Sequence, residues 1–137
     1  SYTWENGPLL AYKEGGPYKD VTRQILFEGA ETLPVQWRYF EVQPGGHSTL
    51  ERHQHIHWVL ILRGRGACLV GDAITDIAEH DLVEIQPMQW HQFRAAEDAP
   101  LGFLCLVAAD RDRPQLPDAD DLVALRQNTK IGDFIRV

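Results

Sequence analysis

The sequence has few cysteines, few basic residues and no long apolar run. Only Cys68 and Cys105 occur in 137 residues, which excludes the disulfide framework of small secreted domains. Each lies within an apolar run, so we expect buried free thiols in a cytoplasmic protein, although the sequence also permits one disulfide between them. No segment approaches the roughly 18 consecutive apolar residues of a transmembrane helix, so no membrane association is expected.

Basic residues are outnumbered by acidic ones. The chain has 13 lysines and arginines against 20 acidic residues, a formal net charge of −7. Nucleic acid is therefore not expected as a partner, because binding phosphate backbones needs a basic face. With 44% hydrophobic and 24% charged residues, the composition is typical of a soluble globular protein, and the length suits one domain.

Short apolar or alternating runs, separated by Gly, Pro and Asp, follow one another through most of the chain. This pattern is typical of an all-β sandwich or barrel. Gly71 and Asp72, which lie between two such runs, indicate a tight hairpin. Pro44-Gly45-Gly46 and Gly64-Arg65-Gly66 are interpreted as breaks between strands. The predicted strands are 21–27, 35–42, 57–63, 67–71, 73–77, 81–85, 91–95 and 101–108.

Composition divides the chain into an N-terminal arm with a first strand (1–34), a barrel (35–110) and a C-terminal linker with a short helix or strand (111–137). The arm is rich in Gly and Pro and is predicted to be irregular, with aromatic residues that anchor it to the barrel or to a partner subunit: Trp4, Tyr12 and Tyr18.

The C-terminal segment begins with a charged, proline-containing linker. A short helix is predicted over 122–127, with Asp118 or Asp120 as its cap, because a side-chain oxygen there can accept first-turn amides. The last residues, 131–137, are predicted to add an edge strand or to dock on a partner.

Histidines are concentrated in one short segment. His53, His55 and His57 occupy alternate positions, and on an extended strand they share one face with Glu51. Imidazoles and a carboxylate that converge on one point are the ligands of a borderline divalent cation. A single histidine on an apolar strand is more often a hydrogen-bonded core residue. Three at this period would bury unpaired nitrogens at about 1–3 kcal/mol each, so a metal or proton-transfer role is favoured.

These residues and their spacing resemble the two motifs of the cupins. The resemblance covers about residues 35–108, and its second motif includes Asp81, Pro87 and His91. It implies an all-β, double-stranded β-helix (jelly-roll) barrel around one divalent metal. The residues that fall on the first motif are Gly45, Glu51, His53, His57 and Gly64.

The ligand set departs from the general motif, since Glu51 stands where the family has its first histidine and His57 where it has its glutamate. His57 and the short spacing before His91 resemble small bacterial cupins that bind metal through four histidines. Two ligand sets follow: Glu51, His53, His57 and His91, which we favour slightly, or His55 in place of Glu51, which then orients a ring. His47 and His80 are interpreted as surface residues.

The resemblance implies one divalent transition metal (Fe, Mn, Ni, Zn or Cu) with open positions for a small organic substrate. A metal-dependent enzyme of dioxygenase, isomerase or lyase type is expected, with a dioxygenase-like oxidoreductase favoured. The alternative is a non-catalytic small-molecule sensor. The resemblance also places Cys105 near the metal and implies a homodimer in which N-terminal strands such as 21–27 join the neighbour's sheet.

Overall fold

The computed structural model describes residues 3–5, 8–12 and 17–137. In these residues the chain forms eight strands and two short helices, and the predicted all-β barrel is confirmed. The strands are β1 (Leu9–Ala11), β2 (Lys19–Phe27), β3 (Val35–His47), β4 (His57–Val70), β5 (Ala73–Ala78), β6 (Leu82–Ile85), β7 (His91–Ala95) and β8 (Leu101–Ala108); the helices are α1 (Ala119–Arg126) and α2 (Thr129–Phe134).

Two long strands, β3 and β4, close the barrel because each pairs with different neighbours along its first and second parts. The first part of β3 pairs with β8, and its last residue, His47, pairs with Arg94 of β7. Likewise, the first half of β4 pairs with β8 and β6, and the second half pairs with β7 and β5. The ring β3-β8-β4-β7 therefore closes on itself, with β2 on the other edge of β3.

The predicted breaks at 44–46 and 64–66 are wrong, because both segments continue a strand. Gly64 has a φ of +73°, and a Cβ there would lie 1.8 Å from the carbonyl oxygen of Pro100. A Cβ on Gly66 would lie 2.0 Å from the oxygen of Arg94. These glycines let β4 bend and approach its neighbours closely, so they mark the corner of the barrel rather than a loop.

Apolar side chains at alternate strand positions point to the same face of each strand and form the core of the barrel. Val59 and Ile61 are buried on the same face as His57, and Phe93 is buried on the same face as His91, as expected from parity. The Phe93 and Phe103 rings stack with their centroids 4.5 Å apart. The metal-ligand candidates are thus carried by the same strand faces that form the core.

The N-terminal arm is more ordered than predicted, since β1 pairs antiparallel with β2. Its aromatic residues pack against the barrel of the same chain. The Trp4 ring lies edge-on to Tyr39 at 4.9 Å, and the side chain of Gln24 bonds both backbone polar groups of Trp4. Tyr12 is buried beside Phe40, with ring centroids 5.6 Å apart, and Tyr18 contacts the Tyr12 ring at 5.1 Å.

The predicted C-terminal helix is confirmed as α1. Asp118, rather than Asp120, caps it, and a capping box with Asp121 satisfies two end amides. The predicted edge strand over the last residues is wrong: Asn128 caps a second helix, α2, which buries Ile131 and Phe134. They pack in a second apolar cluster with Leu50 and Leu69 of the barrel.

Two smaller predictions are also confirmed. Gly71 and Asp72 form the tight turn between β4 and β5, with Val70 and Ala73 paired across it. Cys68 and Cys105 are both free and buried. Neither helix in the described part of the chain is long and apolar enough to cross a membrane.

The outer face of one sheet carries exposed aromatic residues. Trp37 of β3 and Trp58 of β4 both pair with Leu106 of β8, so the three residues form a row across the sheet. The tryptophans are 38% and 54% exposed, and Phe27 stacks on Trp37. Apolar rows of this kind are typical of subunit interfaces.

The homodimer stays a prediction, and we expect this row to lie in its interface. Light scattering after gel filtration should give twice the chain mass for the wild type. The double variant Trp37→Ser and Trp58→Ser should run as a monomer, because it loses the apolar area that holds the pair. Val123→Ser serves as the control, because Val123 lies on α1, away from the row, and is 62% exposed. A monomeric wild type would show the prediction to be wrong.

A pair of glycine substitutions tests the packing of the barrel. A Cβ on Gly102 of β8 would lie 1.9 Å from the buried Tyr39 hydroxyl, so Gly102→Ala is expected to destabilise the fold by about 1–3 kcal/mol. Gly132→Ala in α2 meets no atom within 3.4 Å and should stabilise the fold by up to about 1 kcal/mol. Denaturant unfolding measures both, and equal effects would contradict the described packing.

Candidate metal centre

Three buried imidazoles converge inside the barrel. His53, His57 and His91 are 2%, 8% and 2% exposed. One nitrogen from each ring lies within 4.8 Å of the others. This spacing permits one ion to contact all three rings, with the short metal–nitrogen bonds that transition metals form. The structure therefore brings together three of the five predicted ligands.

The three histidines reach this point from different elements. His57 opens β4 and His91 opens β7, whereas His53 lies in the loop before β4. The sequence placed His53, His55 and His57 on one extended strand, and this is wrong because β4 begins only at His57. The preceding loop pairs instead with the start of β7, where the Glu51 amide donates to His91 (3.1 Å) and the His91 amide donates to Glu51 (3.0 Å).

Backbone contacts orient two of the rings. Nδ1 of His53 lies 2.8 Å from the carbonyl oxygen of His55, and Nδ1 of His91 lies 3.0 Å from that of Gln89. A carbonyl oxygen only accepts, so Nδ1 carries the proton in both rings and Nε2 keeps its lone pair. This is the usual way in which proteins orient a histidine ligand toward a metal.

The His57 ring provides a direct test of whether the site fits a metal ion. Its Nε2 contacts the thiol of Cys105, and its buried Nδ1 has no hydrogen-bond partner among the described residues. A buried polar nitrogen without a partner costs about 1–3 kcal/mol. A cation bound through Nδ1 of His57 would remove that penalty, and neutral imidazoles suit a borderline divalent ion. The residues present therefore fit a metal.

The local environment keeps two of the three rings neutral. Burial, with neighbouring His91 and His55, lowers the pKa of His53 to about 4. Burial, followed by His91 and Arg38, holds the pKa of His57 well below its usual value. Both rings are therefore unprotonated at pH 7, which is the form that binds metals.

The other two predicted ligands lie beside the cluster. Glu51 is 7% exposed and lines the same cavity, although its carboxylate is not one of the three converging groups. The His55 ring stacks on His53, with centroids 3.7 Å apart, and its Nδ1 lies 2.8 Å from the carboxylate of Asp112. The choice between Glu51 and His55 as fourth ligand stays a prediction.

Asp112 is a site residue that sequence reasoning missed. Its carboxylate accepts from the backbone amides of Gln54 (2.8 Å) and His55 (3.1 Å) as well as contacting the His55 ring. Burial raises the pKa of Asp112, but these hydrogen bonds outweigh that effect and lower it to about 2. An ionised Asp112 thus holds the loop that carries His53. It lies in a segment that the sequence marked only as a linker.

The cluster opens into a cavity of about 750 Å³. Aromatic rings form part of its wall, and four arginines line it: Arg23, Arg38, Arg111 and Arg113. Arg38 is the only one of the four that is buried. Three separate segments of the chain supply the four arginines, so no local spacing could have brought them together.

Cys105 lies where the resemblance implied. It is fully buried on β8, its thiol contacts Nε2 of His57, and Nη2 of Arg38 lies 3.1 Å from its sulfur. Burial raises the pKa of this thiol, and the Arg38 guanidinium opposes the rise. The thiol is therefore the group that connects the metal centre with the arginines.

A closed β-barrel with histidines at the starts of two strands is the arrangement that the resemblance to the cupins implied, and comparison with known proteins agrees. The cupin domain family matches residues 38–107. The chain belongs to this family.

Three relatives cover almost the whole chain. A protein of Rhodospirillum rubrum named 1-methylthio-D-xylulose 5-phosphate methylsulfurylase is 55% identical over 98% of this chain and 86% of its own length. A cupin 2 conserved barrel protein of Rhodopseudomonas palustris is 56% identical, with a TM-score of 0.93 over 98% of this chain and 93% of its own. A cupin 2 domain-containing protein of Halorhodospira halophila is 38% identical, with a TM-score of 0.81 and coverage of 98% and 99%.

We predict that His53→Ala and His91→Ala each abolish stoichiometric metal binding, because each removes one of three converging nitrogens. Elemental analysis of protein purified without chelator measures the metal. His80→Asn is the matched control, since His80 is exposed outside the cluster and its φ of +77° suits asparagine. Metal retained by both alanine variants would contradict the site.

The same measurement decides the fourth ligand. If Glu51 binds the ion, Glu51→Gln should weaken metal retention during dialysis against a chelator more than His55→Gln does. The opposite order would show that His55 binds and would overturn the set that we favoured from the sequence. Thermal unfolding of each metal-free variant controls for loss of the fold.

Proposed function

We propose that this protein is a metal-dependent enzyme that removes the methylthio group from a methylthio-substituted ketose 5-phosphate. One observation carries the proposal: a relative named for that activity is 55% identical over 98% of the chain. The buried cluster of His53, His57 and His91, which opens into a cavity for a small molecule, supports it.

The cavity suits the three parts of such a substrate. Its volume of about 750 Å³ lies within the range of small-molecule sites. The rings of Phe40, Phe93 and Phe103 line it and offer an apolar surface for a methylthio group. His53, His57 and His91 would hold an ion that could bind sugar oxygens, and the arginines supply positive charge for a phosphate.

Removal of the methylthio group requires a thiol co-substrate: the carbon–sulfur bond breaks, the methylthio sulfur forms a disulfide bond with the thiol sulfur, and the carbon takes the proton that the thiol gives up. The reacting carbon is next to a ketone, so the negative charge that develops on it is shared with the carbonyl oxygen. A bound divalent ion supplies Lewis-acid stabilisation of such an oxygen. The role of the chain is to hold the three imidazoles in place. Burial keeps His53 and His57 unprotonated, and Asp112 fixes the loop that carries His53.

Cys105 lies at the end of the cavity that contains the histidine cluster. Its thiol contacts His57, a predicted metal ligand, and Arg38, which lines the cavity. Cys68, in contrast, is a core residue whose pKa is raised to about 11, mainly by burial. We therefore expect the two cysteines to differ in their effect on turnover. Both are free thiols, which supports a reducing, cytoplasmic location.

The sequence favoured a dioxygenase-like oxidoreductase if the protein is catalytic. No observation tests that reaction type, so it stays a prediction. The name of the relative favours removal of a methylthio group instead. A substrate-binding sensor has no specific contact in its favour and is an outcome of the experiment below.

Turnover is measured by proton NMR of the S-methyl signal of 1-methylthio-D-xylulose 5-phosphate, with metal-loaded protein in a reducing buffer. The signal of the intact substrate should disappear with the wild type and persist with His91→Ala. Cys105→Ala should lower the rate at least tenfold, whereas Cys68→Ala should stay within about threefold of the wild type. Melting temperatures and metal contents are compared for each variant.

Two results would contradict the proposal in different ways. Unchanged substrate with metal-loaded wild-type protein that still binds it would favour the sensor. Equal loss of rate in both cysteine variants, at equal metal content, would show that Cys105 contributes no more to turnover than Cys68. The proposed reaction itself would not be contradicted.

A further inference from the structure

Four arginines line the cavity with little negative charge to balance them. Arg23 lies on β2, Arg38 lies on β3, and Arg111 and Arg113 follow β8. Glu51 is the only carboxylate among the described residues that line this cavity. Within the part of the chain that the structure describes, none of the four guanidinium groups forms an ion pair.

Arginines elsewhere in the chain behave differently. Arg63 is paired with Glu41 at 3.1 Å, and Arg65 with Asp98. Arg52 lies 3.9 Å from Asp121. Acidic residues outnumber basic ones in the whole chain, 20 to 13. A shortage of carboxylates therefore does not explain why the cavity arginines lack them, and their unpaired state is local to this site.

Arg38 is the most constrained of the four. It is only 9% exposed, its guanidinium lies over the Phe40 ring at 4.9 Å, and its Nη2 contacts the Cys105 sulfur. Its buried Nε has no hydrogen-bond partner among the described residues. A buried cation without a counter-charge is strongly unfavourable, so the geometry of Arg38 calls for an anion from outside the chain.

Arg111 and Arg23 complete the group. Nη2 of Arg111 donates to the side chain of Gln36 (3.0 Å) and Nη1 donates to the carbonyl of Ala108 (3.0 Å), which hold the guanidinium in place. Burial, followed by the charges of Arg38 and Arg23, lowers the pKa of Arg111. Nε of Arg23 is buried without a partner among the described residues. The three cations thus lie close enough to repel one another.

We propose that Arg23, Arg38 and Arg111 form a subsite for the phosphate of a phosphomonoester substrate, whose other end reaches the histidine cluster. A phosphate dianion matches the excess positive charge, and guanidinium groups bind its oxygens in pairs. The subsite rests on the proposed function for the sugar part of the ligand. The preference for a phosphate end follows from the arginines alone.

Calorimetric titration of the metal-loaded protein tests the subsite with three probes: D-xylulose 5-phosphate, D-xylulose and inorganic phosphate. The phosphorylated ketose should bind at least a hundredfold more tightly than the free ketose. Arg23→Gln and Arg111→Gln should each weaken binding of the phosphorylated ketose about tenfold or more, and leave binding of the free ketose unchanged. Arg65→Gln, at an exposed ion pair, is the matched control and should bind like the wild type.

Stability of the ligand-free protein gives a second readout. Arg23→Gln should keep or raise the melting temperature, because it removes one of three repelling cations and breaks no side-chain hydrogen bond to another described residue. A residue with a purely structural role would lower the melting temperature and leave the discrimination between the two ketoses intact. Arg38→Lys keeps the buried charge but loses the paired geometry, and should also weaken binding of the phosphorylated ketose.

Equal affinity for D-xylulose and its 5-phosphate would overturn the subsite, as would wild-type affinity in both glutamine variants. Inorganic phosphate that binds as tightly as the phosphorylated ketose would show a free-anion site and overturn the link to the substrate. If phosphate discrimination is found but the methylthio substrate is not consumed, the subsite stands and the proposed reaction falls.

Discussion

The backbone bridge between Glu51 and His91 is the contact on which the metal centre depends. It joins the loop before β4 to the first residue of β7 through two hydrogen bonds, of 3.0 and 3.1 Å. It brings the loop that carries His53 beside His91, and His57 reaches the same point from the start of β4. Two main-chain bonds therefore join the elements that carry the histidines.

Around that bridge the barrel holds polar groups in a state that opposes folding. His57 keeps a buried nitrogen without a partner among the described residues, and Arg38 keeps a buried charge. The surrounding core offsets these costs through close-packed rings such as Phe93 and Phe103. Sites that are unfavourable in isolation are typical of functional centres, because a ligand supplies the missing partner.

Much of the fold could be predicted from the sequence, since alternation and turn residues are local signals. The strand that carries His91 and the hairpin at Gly71 both follow from such signals. The bends at Gly64 and Gly66 did not, because a glycine that breaks a strand and a glycine that lets it turn a corner look alike in one dimension. What distinguishes them is the carbonyl of a neighbouring strand, which only the fold brings close.

The candidate site, like the fold, could be predicted from the sequence only in part. Histidine spacing and family motifs located His53, His57 and His91, but the premise that put His55 on the same strand face was wrong. The contact between His55 and Asp112 joins residues 57 positions apart. The cavity arginines were equally hidden, because three different segments supply them. Charges that meet only through long-range pairing leave no local pattern to find.

The segment that follows β8 has two structural roles. Asp112 holds the loop of His53, the backbone of Gln115 pairs with Arg52, and Arg111 and Arg113 face the cavity between them. One short stretch of chain thus sets both the shape and the charge of the opening. Changes in this stretch can alter which molecules the barrel admits while the strands that carry the histidines stay as they are. Diversification of substrates among such barrels can therefore proceed by exchange of a single surface segment.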